Sequence, residues 1–335
     1  MMRIQPRLCL TALLALAAAA TPGAQNQEGV RFRGGVELIN VIATVTDDDR
    51  FVSGLRKEDF TVFEDGAQQE VTHFSSERVP VSLGILLDAS GSMTRDKMSA
   101  ARSAIDRFIY DLLGQDDELF FFEFANRPDL VQEWTTDRRA ISRAVARVTP
   151  TGGTAMYDAI TRALPLAGVG RHPKKALLVI SDGNDTNSSL SIVELRPLIS
   201  ETEVIVYALG VDGTAATIRS PPRVPLPVLT PFPGRGPRRR LPPIIGGGGA
   251  AVGTTERVNV DALRWITDGT GGRTEIVRGF RDLGDATTRI ADELSKQYCL
   301  GYASPGEKDG RWHGIRVEVN NRRLTARARR GYIAS

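Results

Sequence analysis

The chain contains little cysteine and little histidine for its length. Of its 335 residues, two are cysteine and three are histidine. Cys9 lies in an apolar N-terminal stretch, and Cys299 alone cannot form an internal disulfide. The histidines, His73, His172 and His313, are widely spaced, and no cysteine pair accompanies them. The sequence therefore argues against a zinc site and predicts a fold held together by packing.

Motifs of several enzyme classes are also absent. The sequence contains no P-loop, no GxSxG nucleophile elbow, no HExxH helix and no dinucleotide-binding glycine fingerprint at a suitable place. Its net charge of +3 is mild, and no nucleic-acid motif or aromatic–basic pattern accompanies the basic residues. We therefore expect no enzyme, no small-molecule substrate and no nucleic-acid partner.

The N-terminus has the pattern of an export signal. Two arginines precede the apolar stretch 8–20, and small residues continue to Ala24. The stretch is short for a membrane span of about 20 residues. We predict a signal peptide over 1–24, a flexible segment over 25–35, and a secreted or periplasmic protein of the cell envelope. Contact with the membrane is expected only if the signal is uncleaved.

From residue 81 the pattern alternates between apolar strands and helices. Predicted strands cover 81–87, 118–124, 176–181 and 203–209, and segments of helical spacing lie between them. This alternation predicts an α/β fold with a doubly wound, mostly parallel sheet. In such sheets, ligands bind outside the carboxyl ends of the strands. We assign residues 80–296 to this domain.

Two β segments flank the α/β domain. Residues 36–79 contain alternating apolar residues and the tight-turn dipeptide Asp65-Gly66, and residues 297–335 alternate again. Because each segment is small for an independent sheet, we expect the two to pair as a sheet or β-sandwich around the inserted domain. An exposed face is expected to carry the C-terminal arginines Arg323, Arg327, Arg329 and Arg330.

The alternation is interrupted at residues 214–256. Nine of the eighteen prolines lie between Pro221 and Pro243, and a run of glycines follows. Proline and glycine at this density build neither helix nor sheet, so we predict an irregular insertion. It is either a simple loop expansion or a basic, extended tether for an acidic partner or for the envelope surface.

Five oxygen-bearing side chains occur in three loops that should meet in space. Asp88, Ser90 and Ser92 follow the first predicted strand of the α/β domain, Asp182 follows the third, and Thr154 ends the loop Thr151-Gly-Gly-Thr154. Magnesium prefers six oxygen ligands at about 2.0–2.1 Å. Two carboxylates roughly cancel the charge of a divalent ion, and the hydroxyls add none. The metal therefore stays electrophilic, with a position open for an incoming carboxylate.

Two other interpretations of these residues remain open. Ser90 or Ser92 could cap the following helix, although capping does not explain Thr154 and Asp182 in the other loops. A magnesium-dependent hydrolase is the enzymatic alternative. It requires a second carboxylate close to a nucleophilic aspartate, and here Ala89 and Ser90 follow Asp88.

The Asp-x-Ser-x-Ser loop, with the later threonine and aspartate, resembles the metal-ion-dependent adhesion site of von Willebrand factor type A domains. The resemblance covers about residues 80–295, and segments 55–66 and 329–332 are similar to an exported bacterial group related to these domains. It implies direct metal ligation by Ser90 and Ser92. Thr154 would bind the ion in ligand-occupied forms, and Asp88 and Asp182 would act through water.

The resemblance also implies a function. We expect an exported adhesion or scaffold module that holds Mg²⁺, with Mn²⁺ or Ca²⁺ as alternatives, and captures an acidic side chain of a protein partner. A structural envelope protein with a vestigial metal site is the main alternative, and a magnesium-dependent hydrolase is the second.

Overall fold

The computed structural model describes residues 37–211, 258–277, 282–304 and 309–334. The predicted signal peptide, the segment 25–35 and the predicted insertion 214–256 lie outside the described residues. Within the described part of the chain, no helix is long and apolar enough to cross a membrane.

The first described segment is made of antiparallel strands. They are β1 (Glu37–Asp47), β2 (Arg50–Phe51), β3 (Phe60–Glu64), β4 (Ala67–Gln69) and β5 (Val71–Ser75). Asp65 and Gly66 connect β3 to β4 with φ angles of 49° and 84°. Positive φ at both central residues is what the Asp-Gly dipeptide predicts for a tight hairpin turn.

A six-stranded sheet forms the centre of the fold. Its strands are β6 (Val81–Asp88), β7 (Glu118–Phe124), β8 (Pro128–Thr135), β9 (Lys174–Ser181), β10 (Ile205–Val211) and β11 (Thr274–Val277). The spatial order is β11-β10-β9-β6-β7-β8. All neighbours pair in parallel except β7 and β8. The mostly parallel α/β sheet expected from the sequence is therefore confirmed.

Helices cover both faces of this sheet. They are α1 (Arg95–Arg107), continued by a π-helical turn at Phe108–Leu112, α2 (Arg138–Arg147), α3 (Met156–Gly168), α4 (Ile192–Ser200), α5 (Val260–Asp268) and α6 (Asp282–Lys296). Leu83, Ile85 and Leu87 share one core with α1, α2 and α6, whereas Leu86 packs with α3, α4 and α5. Burial on both faces explains why β6 has no polar residue between Leu83 and Leu87.

Strand β8 was not predicted from the sequence. It begins at Pro128 and forms the antiparallel edge of the sheet, with several exposed side chains. A proline is tolerated at the start of a strand or at an edge. Because this strand is largely exposed, it lacks the apolar run that revealed its neighbours.

The chain ends in four further strands that pair with the first group. They are β12 (Tyr298–Ser304), β13 (Trp312–Val319), β14 (Leu324–Arg327) and β15 (Gly331–Ile333). One antiparallel sheet has the order β14-β1-β12-β5, with β2 beside β1, and the other has the order β15-β13-β3-β4. Val41, Val62, Leu300 and Val317, from both sheets, lie in one core. The two β segments thus pair as a β-sandwich.

The prediction that the C-terminal arginines line an exposed face is wrong for Arg327 and Arg329. Arg329 is only 7% exposed, and its guanidinium donates to the Asn40 carbonyl at 2.9 Å and to Glu203 at 3.3 Å. Arg327 donates to Glu293 of α6. Alternation along β14 indicated two faces, but it could not indicate that the outer face is covered by the α/β part.

Glu293 lies at the centre of the contact between the β-sandwich and the central sheet. Its side chain is fully buried and accepts hydrogen bonds from Thr44 of β1 and Tyr207 of β10, both at 3.1 Å, besides the one from Arg327. A buried carboxylate is tolerated only when it is paired and hydrogen-bonded. Glu293 therefore couples α6 to strands of two sheets.

We expect Glu293→Gln to lower the free energy of unfolding by about 2–4 kcal/mol, because Arg327 would lose its buried counter-ion. Urea unfolding measures this loss. The control is Asp292→Asn, which removes a carboxylate one residue earlier in the same helix. Asp292 pairs only at the surface with Lys296, so its replacement should cost less than about 0.5 kcal/mol. Equal losses in the two variants would contradict a role for Glu293 in joining the parts.

Candidate metal centre at the strand ends

Asp88 is the last residue of β6 and has no exposed surface. Its Oδ1 accepts a hydrogen bond from the Ser90 backbone N–H at 2.8 Å, and its Oδ2 accepts one from the Ser181 hydroxyl at 2.6 Å. Burial raises the pKa of Asp88 from its ordinary value of 3.8 to about 6, although the hydrogen bonds from Ser181 and Ser90 oppose this rise. The negative charge of Asp182 adds to it. Asp88 is therefore a costly carboxylate to ionise without a nearby cation.

The hydroxyls of Ser90 and Ser92 lie side by side, with their Oγ atoms 2.9 Å apart. Two ligands at adjacent octahedral positions around Mg²⁺ are roughly 3 Å apart, given bonds of about 2.0–2.1 Å. Helix α1 is capped by Thr94, whose Oγ1 accepts from the Lys97 N–H. The structure thus gives the capping role to Thr94 and leaves the two serine hydroxyls facing each other.

The loop that contains Thr154 is hydrogen-bonded to both of the other loops. Gly91 N–H donates to the Gly152 carbonyl at 2.9 Å, which joins it to the serine loop. The Thr154 carbonyl accepts from the N–H groups of Thr186 and Asn187, both at 2.9 Å, which joins it to the segment after β9. Thr154 is itself buried. Backbone contacts therefore bring the three predicted loops to one place.

Asp182 follows β9 and is fully buried. Its Oδ1 accepts from the Asn184 N–H at 3.3 Å. Its Oδ2 has no hydrogen-bond partner among the described residues, and the nearest cation is the Lys97 ammonium, at 3.7 Å. A buried carboxylate oxygen without a hydrogen bond carries an uncompensated desolvation cost. Asp182 Oδ2 is thus an available acceptor beside Lys97.

Sequence reasoning missed Lys97, which is only 5% exposed. It lies on the face of α1 that also carries the buried residues Ala101 and Ala104, four and seven positions later. A lysine at a core position of an amphipathic helix was the available signal. Its ammonium adds one positive charge beside the Asp182 carboxylate.

The donors fit a hard divalent cation. Two serine hydroxyls at ligand spacing, a buried threonine and two buried carboxylates, one with an unpartnered oxygen, provide only oxygen ligands, which Mg²⁺ and Ca²⁺ prefer. A cation here would also offset the desolvation of Asp88 and Asp182. Ser90, Ser92 and Thr154 would hold it, and the two aspartates would stabilise its charge.

Residues 83–184 match the family model of the von Willebrand factor type A domain. This segment includes all five candidate ligands and runs from β6 past the end of β9. The segment that carries the motifs therefore matches the von Willebrand factor type A domain that they resemble.

Two relatives align with part of the chain. The Uncharacterized protein sll0103 of Synechocystis sp. is 29% identical over 137 residues, which cover 40% of this chain and 32% of that protein. Inter-alpha-trypsin inhibitor heavy chain H2 of Mus musculus is 26% identical over 148 residues, which cover 40% of this chain and 16% of that protein. The matched region thus spans about a third or less of either relative.

Several solved structures are also similar. An aerotolerance-related membrane protein from Bacteroides fragilis is 21% identical, with a TM-score of 0.47, and the match covers 64% of this chain and 99% of that one. A von Willebrand factor type A protein from Catenulispora acidiphila is 15% identical, with a TM-score of 0.46, and covers 89% and 74%. Proximal thread matrix protein 1 from the mussel byssus, with a zinc-occupied MIDAS motif, is 15% identical, with a TM-score of 0.47, and covers 70% and 50%. Similarity at this level says nothing about function.

The raised pKa of Asp88 predicts how the stability of the metal-free protein depends on pH. Because the folded-state pKa of about 6 exceeds the ordinary 3.8, the folded chain binds this proton more tightly than the unfolded chain. The free energy of unfolding should therefore fall as pH rises from about 4 to 6. Asp88→Asn removes this titration and should raise the free energy of unfolding at pH 7 by up to about 3 kcal/mol.

Urea unfolding in EDTA, at several pH values between 4 and 7, measures both profiles. Asp129→Asn is the control, because the Asp129 side chain is exposed and its replacement should leave the profile unchanged. If the free energy of unfolding varied with pH in the same way in the Asp88→Asn and unsubstituted proteins, ionisation of the Asp88 carboxylate would not destabilise the fold as expected.

Proposed function

We propose that the chain is a metal-dependent protein-binding module of the cell envelope, in which a von Willebrand factor type A domain holds Mg²⁺ and captures an acidic side chain of a partner. The metal site would consist of Asp88, Ser90, Ser92, Thr154 and Asp182, with the three hydroxyls binding the ion directly and the two aspartates acting through water. One observation carries the proposal: the paired hydroxyls of Ser90 and Ser92 lie in a loop fixed by the buried carboxylate of Asp88. The envelope location rests on the export pattern of residues 1–24.

The charge of the site supports an anionic ligand. Asp88 and Asp182 contribute two negative charges and Lys97 contributes one positive charge, so that a bound Mg²⁺ would give a formal charge of +1. In a buried, low-dielectric setting this charge favours an anion over a neutral group. Among protein side chains, the carboxylates of Asp and Glu supply that anion together with a metal-binding oxygen.

Metal uptake is the first test. We expect Mg²⁺ or Mn²⁺ at millimolar concentration to bind with one ion per chain, and Ser90→Ala to weaken this binding at least tenfold, because a direct ligand is lost. Isothermal titration calorimetry after EDTA treatment measures the affinity. Ser99→Ala is the matched control, since Ser99 is exposed on α1 and should leave the affinity unchanged. No uptake by the unsubstituted chain would end the proposal.

Partner capture is the second test. Immobilised chain should retain proteins from an envelope extract in Mg²⁺ and release them in EDTA, because the ion bridges the two proteins. The Ser90→Ala chain should not retain them, whereas the Ser99→Ala chain should. A glutamate-containing peptide should compete for retention, and its glutamine counterpart should not.

The competing functions give different results in the same experiments. If the chain were a structural envelope protein with a vestigial site, EDTA and Ser90→Ala would each leave the amount of retained partner protein unchanged. A magnesium-dependent hydrolase would turn over a phosphate ester, which the proposed module would not.

A further inference from the structure

A second group of potential metal ligands lies in the β-sandwich, on elements that do not carry the first site. Glu64 ends β3, Asp65 begins the turn to β4, and His313 is the second residue of β13. The pairing of β3 with β13 places Glu64 opposite Ile315. As a result, one ligand atom from each of Glu64, Asp65 and His313 lies within 4.8 Å of the other two.

The distances suit one small cation. His313 Nδ1 is 2.8 Å from Asp65 Oδ2 and 3.6 Å from Glu64 Oε1. Zinc binds imidazole nitrogen and carboxylate oxygen at about 2.0–2.2 Å, so two of its tetrahedral ligands are roughly 3.4 Å apart. The three side chains would need to move only slightly to share one ion.

The burial of Glu64 is a second observation that favours a cation at this place. Its side chain is buried, with 5% exposure, and its Oε1 accepts from the hydroxyls of Ser304 at 2.8 Å and Tyr332 at 3.1 Å. Its Oε2 is buried and makes no hydrogen bond of normal geometry to the described residues, while the nearby Tyr302 hydroxyl also interacts with the Glu64 carboxylate. Such an oxygen retains its desolvation cost, and a cation bound beside His313 would offset that cost.

Asp309 completes the arrangement. Its Oδ1 lies 3.3 Å from His313 Nε2, so it can accept the N–H of that nitrogen. The metal-binding atom of His313 would then be Nδ1, which lies 2.8 Å from Asp65 Oδ2. Metal-bound histidines commonly donate their other ring N–H to a carboxylate, which orients the ring and raises its basicity. Mixed imidazole and carboxylate ligands suit zinc better than magnesium, which favours oxygen alone.

We propose that Glu64, Asp65 and His313 bind one zinc-like divalent cation and that Asp309 acts as a positioning residue for His313. The ion would fasten the β3–β4 turn to β13. In the described part of the chain the only cysteine, Cys299, is free, so this cross-link would take the role that a disulfide has in many exported domains.

Calorimetric titration with Zn²⁺ tests the site in the full chain carrying Ser90→Ala. That substitution impairs the candidate metal centre at the strand ends, so that Zn²⁺ binding there is reduced. We expect one Zn²⁺ to bind. Adding His313→Gln should weaken that binding at least tenfold, whereas adding His73→Gln, at an exposed position of β5, should not change it. Asp309→Asn should weaken it about 10- to 100-fold. Zn²⁺ should also raise the melting temperature of the parent, but not of the His313→Gln chain.

The two proposed metal sites can fail separately. Mg²⁺ uptake by an otherwise unsubstituted His313→Gln chain should remain normal, because that site lies on other elements. If His313→Gln did not fold, as judged by circular dichroism, Asp309→Asn would decide the matter, since Asp309 is partly exposed. Absence of Zn²⁺ uptake by the parent, or equal affinity in the parent and the Asp309→Asn chain, would overturn the proposal.

Discussion

The carboxylate of Asp88 is the constraint on which the candidate metal centre depends. Its Oδ1 fixes the backbone of Ser90, and the hydroxyls of Ser90 and Ser92 then face each other. Its Oδ2 binds the Ser181 hydroxyl at the end of β9, and the next residue is Asp182. One buried side chain thus connects the loops after two neighbouring parallel strands. Burial raises its pKa, so the position that organises the loops also makes ionisation of this carboxylate costly.

Other buried polar contacts join the β-sandwich to the α/β part of the chain. Glu293 joins helix α6 to β1 and to Tyr207 of the central sheet, and Arg329 joins the C-terminal strands to Asn40 and Glu203. Buried charges of this kind contribute less to stability than their number suggests, because desolvation opposes the attraction. Their partners are specific, however, and they fix how the β-sandwich lies against the α/β part.

Much of the architecture could be read from local patterns. The apolar run of β6 predicted a strand buried on both faces, and the alternation of strands and helices predicted a mostly parallel sheet. The Asp65-Gly66 dipeptide predicted a tight turn, because both residues adopt positive φ at low cost. Edge strand β8 escaped prediction because its exposed residues carry no such pattern. The five candidate ligands could be proposed together because the ends of parallel strands lie on one edge of a sheet.

What the sequence by itself determined is therefore most of the helices and strands and the positions of the oxygen donors at their ends. Periodicity and turn chemistry act between residues close in the chain, so they are visible without coordinates. Only the tertiary structure placed Lys97 beside Asp182 and buried Arg329. It also brought Glu64 close to His313, although the two residues are far apart in the sequence. The wide spacing of the histidines argued against zinc, because spacing along the chain does not show which residues lie close together in the fold. Contacts between distant segments depend on which strands pair and in which register, and local sequence patterns do not specify that pairing.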